Sequence, residues 1–531
     1  MTSVQLYDTT LRDGAQREGI SFTVADKLRV AARLDELGVH YIEGGWPGSN
    51  PKDEEFFDTA RKLTLSNAVL VAFGSTRHAK SKLEEDANLR ALIDAGTDVV
   101  TIVGKSSEMQ VTQVLETTLD ENLRMIAESV AYLVSKDKRV FFDAEHFFDG
   151  YKANPDYAIE TLKAAADAGA ECIVLCDTNG GAMPFEIADI IAAVRESLDT
   201  PLGIHAHNDS ELAVANSLAA VAAGVVHVQG TINGYGERCG NANLCSIIPS
   251  LKLKMDVDCV SDEQLSKLSD VAHFVSEVAN MALDTHLPYV GASAFAHKGG
   301  QHVAAMMKWA ESYQHIDPAR VGNEWRTLVS ELSGKGNIVR KLKERGLELT
   351  LEGDEAKAIL EQVKLLESRG FQYEDAEASF ELLIRRAQLG YTAPFELVDF
   401  MVVIEKRRRT STIEKEGELL SEATVKVKVG GEVMHTAAEG NGPVNALDAA
   451  MRKALLMFYP DLEAIRLVDY KVRVVDEAGG TGSYVRVLIE SSDGEQEWRT
   501  VGSSTNIIEA SWLALADSLE YWLIRKGARP V

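Results

Sequence analysis

His205 and His207 stand one residue apart in the run LGIHAHND. Alternate residues of a β-strand face the same side, so both imidazoles can point at one ion. Two ring nitrogens are half a site, and a carboxylate and an amide oxygen would complete it. Asp13, in DTTLRDGAQ, and Asn241, in NGYGERCGNAN, offer those atoms. Mixed nitrogen and oxygen ligation suits Mg2+, Mn2+ or Zn2+ and leaves positions open for substrate. No thiolate is needed. The C-x3-C pair Cys172 and Cys176 reads instead as packing along an apolar strand.

Three further side chains have chemistry to offer. Arg12, beside Asp13, either forms a salt bridge with Asp8 or Glu43 or contacts an anionic substrate oxygen. Glu145, in DAEHF, can do acid and base work or pair with Arg12. Thr178, in DTNGG, can present its hydroxyl to a substrate carboxylate or cap the next turn.

Each of these segments follows a short apolar run. Such runs begin near Val4, Tyr41, Ala68, Val99, Arg139, Cys172, Leu202 and Val225, eight in all. Stretches with helical periodicity lie between them, among them TVADKLRVAARLDELG and NPDYAIETLKAAADAG. Apolar strands alternating with amphipathic helices predict an α/β fold with a covered parallel sheet. The count of eight favours closure into a (β/α)8 TIM barrel. No G-x-G-x-x-G follows the first strand, which weakens a dinucleotide-binding alternative. In such barrels chemistry sits where strands run into the following loops. Closure places strand one beside strand eight and eight beside seven, which brings Asp13, Asn241 and the two histidines together.

The alternation predicts a catalytic barrel over residues 1–275. A helical linker region, 276–410, follows, and it contains the charged stretch EAKAILEQVKLLESRGFQ. The charged stretch EKRRRTSTIEKEGE reads as a solvated hinge. Residues 411–531 contain a weak repeat of hairpin, glycine-rich turn and helix. Asn445 aligns with Asn506, Asp448 with Glu509 and Ala449 with Ala510. The two copies predict one C-terminal α+β domain.

The formal net charge of -26 argues against nucleic acid as a partner. It leaves room for an anionic substrate at a locally positive or metal-bearing pocket. The five cysteines, an odd number, read as reduced thiols. No signal peptide and no 18-residue apolar run is visible, so no membrane is expected and the cytoplasm is the default location.

DTTLRDGAQ, Glu145, DTNGG, HAHND and GYGERCGNAN together resemble the acetyl-coenzyme A condensing enzymes that form 2-isopropylmalate, homocitrate and citramalate. AFAHKGGQHVAAM, SYQHIDPARVGNEWRTLVSELSGKGN and EGNGPVNALDAA are similar to that family's later regions, so the resemblance covers nearly the whole chain. The stretch from EGISFTVADKLRV to GGWPGSNPKDEEFF looks most like the citramalate-forming subgroup. The resemblance implies condensation of acetyl-CoA with pyruvate, a homodimer or larger homo-oligomer, and a C-terminal allosteric domain. Citramalate leads toward isoleucine, which makes isoleucine the first candidate effector. Carried over by position, Asp13, His205, His207 and Asn241 become metal ligands, Arg12 meets the 2-oxo oxygen and Thr178 the substrate carboxylate. Glu145 becomes a catalytic carboxylate. His302 and Tyr313 match catalytic residues that reach a neighbouring subunit's barrel. Asp143 stands where related enzymes carry other side chains near the substrate. A lyase on the same barrel and a catalytically silent amino-acid sensor are the rival readings. The first leaves the post-barrel region unexplained, the second the complete ligand set.

Overall fold

The computed structural model describes residues 3–297, 299–327, 353–373, 376–388, 390–406, 419–475 and 482–530. Two compact units emerge, Met1–Ala296 with Gln314–Arg326, and His297–Tyr313 with Thr327–Val531.

The first unit is a closed barrel of eight strands in sequence order. They are β1 (Gln5–Asp8), β2 (Tyr41–Gly45), β3 (Val69–Ser75), β4 (Val99–Lys105), β5 (Arg139–Glu145), β6 (Cys172–Asp177), β7 (Leu202–Ala206) and β8 (His227–Gly230). Strand β1 pairs with β8 in parallel, with Tyr7 opposite Gln229, and this pairing closes the ring. The helices between strands carry the expected signals. Thr23 and Asp26 form a capping box ahead of Val24–Leu37, and Gly38 ends that helix at φ 85°, a conformation that favours glycine.

Period-two alternation sorts each strand into two sets. Leu6, Ile42, Val100, Phe142, Ile173, Ile204 and Val228 face outward and join the core under the helices. Tyr7, Tyr41, Val71, Val99, Phe141, Cys172, Val174 and Cys176 form a separate cluster that fills the barrel interior. His227 sits among these rings, 5.2 Å from Tyr7 and Phe141 and 5.9 Å from Tyr41 between centroids. It fits because Gly203 on the next strand has no Cβ; one placed there would lie 2.9 Å from the His227 ring. Burial pushes His227 down to about 3, so the floor of the barrel holds a neutral imidazole. Moving toward the C-terminal end, the inward positions change character. Phe141 gives way to Asp143 and Glu145, Tyr41 to Glu43, Gly203 to His205, and His227 to Gln229. An apolar floor thus carries a polar mouth.

In the second unit, two three-stranded antiparallel sheets each lead into a helix. Strands Glu396–Lys406, Leu419–Val429 and Glu432–Gly440 precede Pro443–Leu455, and strands Arg466–Val474, Val485–Ser492 and Glu497–Ser504 precede Ile507–Lys526. One apolar core, including Val425, Leu447, Met451, Ile489, Leu515 and Leu519, joins both copies. The repeat is real, but its expected alignment is out of step. The Thr436 hydroxyl donates to the Ala450 carbonyl as the Thr500 hydroxyl does to that of Ala514. In this register Asn506, which caps its helix, matches Gly442 at the cap of the first helix and not Asn445. Each copy also has one strand more than the hairpin expected. Glu396–Lys406, which the sequence pattern leaves in the helical region, is a strand paired with Leu419–Val429. Most of the charged hinge, including Arg407–Arg409, lies outside the described residues. Among the described residues no helix is long and apolar enough to cross a membrane.

Candidate active site

The ends of β1, β7 and β8 bring four side chains to one point. Asp13 Oδ2 lies 3.2 Å from His205 Nε2, which is 3.3 Å from His207 Nε2. The Asn241 amide nitrogen lies 2.9 Å from Asp13 Oδ2 and 3.2 Å from His205 Nε2. All four residues are buried. Strand β7 ends at Ala206, so His207 owes its position to more than strand alternation. An isolated antiparallel bridge pairs His207 with Asn241 and fixes the two loops against each other.

The cluster fits a divalent ion. Asp13, His205 and His207 each offer a ligand atom within 4.8 Å of the others. The Asn241 Oδ1 is buried without a hydrogen-bond partner, and turning the amide would direct it into the cluster. That oxygen approaches so closely over Gly236 that a Cβ there would lie 1.9 Å from it. Burial opposes charge on Asp13, but Arg12 and His205 outweigh it and hold the carboxyl well below its usual range. Burial, with His205 beside it, pushes His207 down to about 4. Two of the donors are therefore in their ligating states near neutral pH.

Arg12 pairs with Glu43, not with Asp8, at 2.5 Å from Nε to Oε1. Its guanidinium also stacks 3.9 Å from the centroid of Phe73 and lies 3.5 Å from Asp13. Burial opposes its charge, yet Glu43 and Asp13 hold it protonated well above the ordinary arginine value. Glu43 in turn accepts from the Tyr7 hydroxyl at 2.6 Å. Glu145 pairs with Lys105 at the end of β4, and not with Arg12. The Thr178 hydroxyl accepts from the backbone N–H of His146 at 2.8 Å and is half-buried at the mouth. Asp143 is buried deeper, where its carboxylate accepts from Gln229. Burial raises the Asp143 carboxyl to about 7.

A cavity of about 470 Å3 opens beside Glu145, lined in part by Trp46, Ser75, Arg77, Asn88 and Lys105. His302 and Tyr313 belong to the second unit, where their rings stack with centroids 4.2 Å apart and both are exposed. Sequence reasoning missed Gln229 and Lys105. A lone polar residue near the C-terminal end of an apolar strand was the available signal in both cases.

An HMGL-like family model matches residues 3–275. A homocitrate synthase post-HMGL domain-like model matches 289–370, and a LeuA allosteric (dimerisation) domain model matches 374–523. An (R)-citramalate synthase from Geobacter sulfurreducens is 58% identical over 98% of both chains. The chain belongs to the (R)-citramalate synthase family. The Aquifex aeolicus member is 54% identical, again over 98% of both chains. A probable 2-isopropylmalate synthase from Methanopyrus kandleri is more distant, at 32% over 96% of both. As a member of the (R)-citramalate synthase family, this chain is a condensing acyltransferase, with a barrel followed by a regulatory domain.

Proposed function

We infer that the chain condenses the acetyl group of acetyl-CoA with pyruvate and hydrolyses the thioester, giving citramalate and free CoA. The observation that carries this reading is 58% identity to a citramalate synthase across essentially the whole length of both proteins.

A divalent ion held by Asp13, His205, His207 and Asn241 supplies Lewis acidity to the ketone when bound. The chain's own groups do the rest. Arg12, fixed by Glu43 and Phe73, directs its guanidinium at the 2-oxo oxygen and stabilises the negative charge that grows there. The Thr178 hydroxyl orients the pyruvate carboxylate. One proton leaves the acetyl methyl group, and that carbon bonds to C2 of pyruvate. The ketone electron pair moves to oxygen, which takes up a proton. Water then replaces sulfur, and CoA departs as the thiol. Glu145 carries the proton transfer, and its ion pair with Lys105 beside the cavity supports that reading. That cavity gives the thioester arm a route to the mouth. His302 and Tyr313, stacked and exposed, serve the barrel of a second subunit, and the homodimer forms through the LeuA-type domain. The free cysteines fit a cytoplasmic setting.

Pyruvate is the preferred 2-oxo acid. A pocket shaped for one methyl group excludes a branched chain by overlap, which makes discrimination against larger substrates efficient. The kcat/KM for pyruvate should exceed that for 3-methyl-2-oxobutanoate by at least about tenfold. Thiol release from acetyl-CoA across a panel of 2-oxo acids measures it. A higher value for the branched acid would make this a 2-isopropylmalate synthase.

Isoleucine is the effector, bound by the duplicated C-terminal domain. Inhibition requires that it bind the less active state more tightly, since equal affinity shifts no population. Because the sheet begins at Glu396, a cut near Arg409 would divide it. A chain lacking residues 374–531 loses the domain that joins the subunits and with it most of its activity, and the condensing activity that remains should show no isoleucine inhibition. Inhibition that survives the deletion places the effector site elsewhere.

A further inference from the structure

We propose that Asp143 and Gln229 form a relay that fixes His205 as its Nδ1–H tautomer and so turns the Nε2 lone pair toward the metal. The proposal rests on the reading of Asp13, His205, His207 and Asn241 as metal ligands.

A neutral imidazole carries one proton, and either nitrogen can hold it. If Nε2 holds it, that proton points at Asp13 and blocks ligation. Nothing within the ring decides between the two. The Nδ1 partner decides, and here it is Gln229, whose Oε1 lies 2.7 Å away. The barrel register sets this contact, because His205 and Gln229 are direct neighbours across β7 and β8.

A glutamine amide is itself ambiguous, since its oxygen and nitrogen occupy nearly the same shape. Turned half round, Gln229 would donate to Nδ1 and select the wrong tautomer. Asp143 removes that ambiguity. Its Oδ1 accepts from Gln229 Nε2 at 3.1 Å. Burial raises Asp143 to about 7, so above that pH it is ionised and its carboxylate only accepts; a reversed amide would then set oxygen against oxygen. Gln229 is fully buried and Asp143 only 3% exposed, so solvent does not soften that clash. The order of side chains from Asp143 through Gln229 to His205 therefore passes one choice of donor and acceptor from β5 to the ligand atom. His207 has no such guide, and its Nδ1 is without a hydrogen-bond partner. The relay gives Asp143 a positioning role in place of the substrate contact expected from its location.

The test measures Mn2+ binding to the metal-stripped full chain at about pH 8, where the Asp143 carboxyl is mostly ionised, with the free ion counted by electron paramagnetic resonance. Outer partners of metal-bound histidines typically change affinity by about 10- to 100-fold. Gln229→Met, similar in size but only a weak acceptor through its sulfur, should weaken Mn2+ binding within that range. Gln229→Glu should stay within about threefold of the parent, because either carboxylate oxygen accepts from Nδ1–H. The decisive comparison needs no apolar substitution at residue 229. Asp143→Ala should weaken binding about fivefold or more in the parent chain, where Gln229 is present. Added to the Gln229→Glu variant, the same substitution should weaken binding less than about twofold, since a carboxylate has no wrong end to present. Equal losses in the two backgrounds would show that Asp143 does not act through Gln229 and would overturn the relay. His205→Ala separates the two levels of the argument. If it binds Mn2+ like the parent, the metal site itself is misassigned. If it loses the ion while Gln229→Met keeps it, only the relay fails.

Discussion

Substituting alanine for either His205 or His207 lowers citramalate formation by roughly three orders of magnitude, the equivalent of about 4 kcal/mol of lost transition-state stabilisation. The fold survives. Both residues sit at the mouth, above an interior already filled by Tyr7, Tyr41 and Phe141 and separate from the apolar core beneath the helices. Removing an imidazole from the polar cluster takes little apolar packing with it. Far-ultraviolet circular dichroism and Tm should therefore match the parent within a few degrees while turnover collapses. Stripping the parent with a chelator and restoring Mn2+ should reproduce the loss and then reverse it. Full turnover by a chelated histidine variant would remove the metal from the mechanism.

Arg12→Ala produces the second large loss, with a different signature. Removal of one preorganised donor at a developing oxyanion costs about 100- to 1,000-fold in kcat. This substitution also strands Glu43, which is fully buried and loses the partner at 2.5 Å. An uncompensated buried charge of this kind costs about 3–5 kcal/mol of stability. Adding Glu43→Gln removes the charge and should restore most of the Tm without restoring turnover. If Arg12 served only to neutralise Glu43, the double variant would recover activity along with stability. Recovery of both would assign Arg12 to the scaffold. Arg12→Lys keeps the charge but loses the planar fork and the stacking on Phe73, so it should fall between the parent and alanine.

The barrel was legible because its strands are buried on both faces, and a parallel strand of that kind writes itself as a short apolar run. Its site was legible because polar residues interrupt those runs at their C-terminal ends. Partnerships were harder. Arg12 had two plausible anions within reach and chose Glu43, while Glu145 took Lys105, a residue outside every motif. Choices of that kind depend on strand register, which period-two patterns do not encode across a barrel. His207 illustrates a second limit. Alternation gave the right convergence, yet the residue lies past the strand and is held by its bridge to Asn241. Strand Glu396–Lys406 escaped for a different reason. Val398, Met401, Val403 and Ile404 are exposed, so hydrophobic residues fall on both faces and no clean alternation appears.

The packed floor has a kinetic consequence. Tyr7, Tyr41, Phe141 and His227 close the N-terminal end, with none more than 4% exposed, so the site has one entrance. In the proposed site pyruvate, held at Asp13 and the two histidines, is the deeper substrate, and the thioester arm of acetyl-CoA lies between it and solvent. Pyruvate must then arrive first and its product depart last. A non-reactive acetyl-CoA analogue should inhibit uncompetitively against pyruvate, whereas a mixed pattern would mean that the arm leaves the entrance clear. Water for the hydrolysis has to use the same opening, so the second half of the reaction waits on movement of the group that the first half required in place. A blind-ended barrel imposes a queue on its own chemistry.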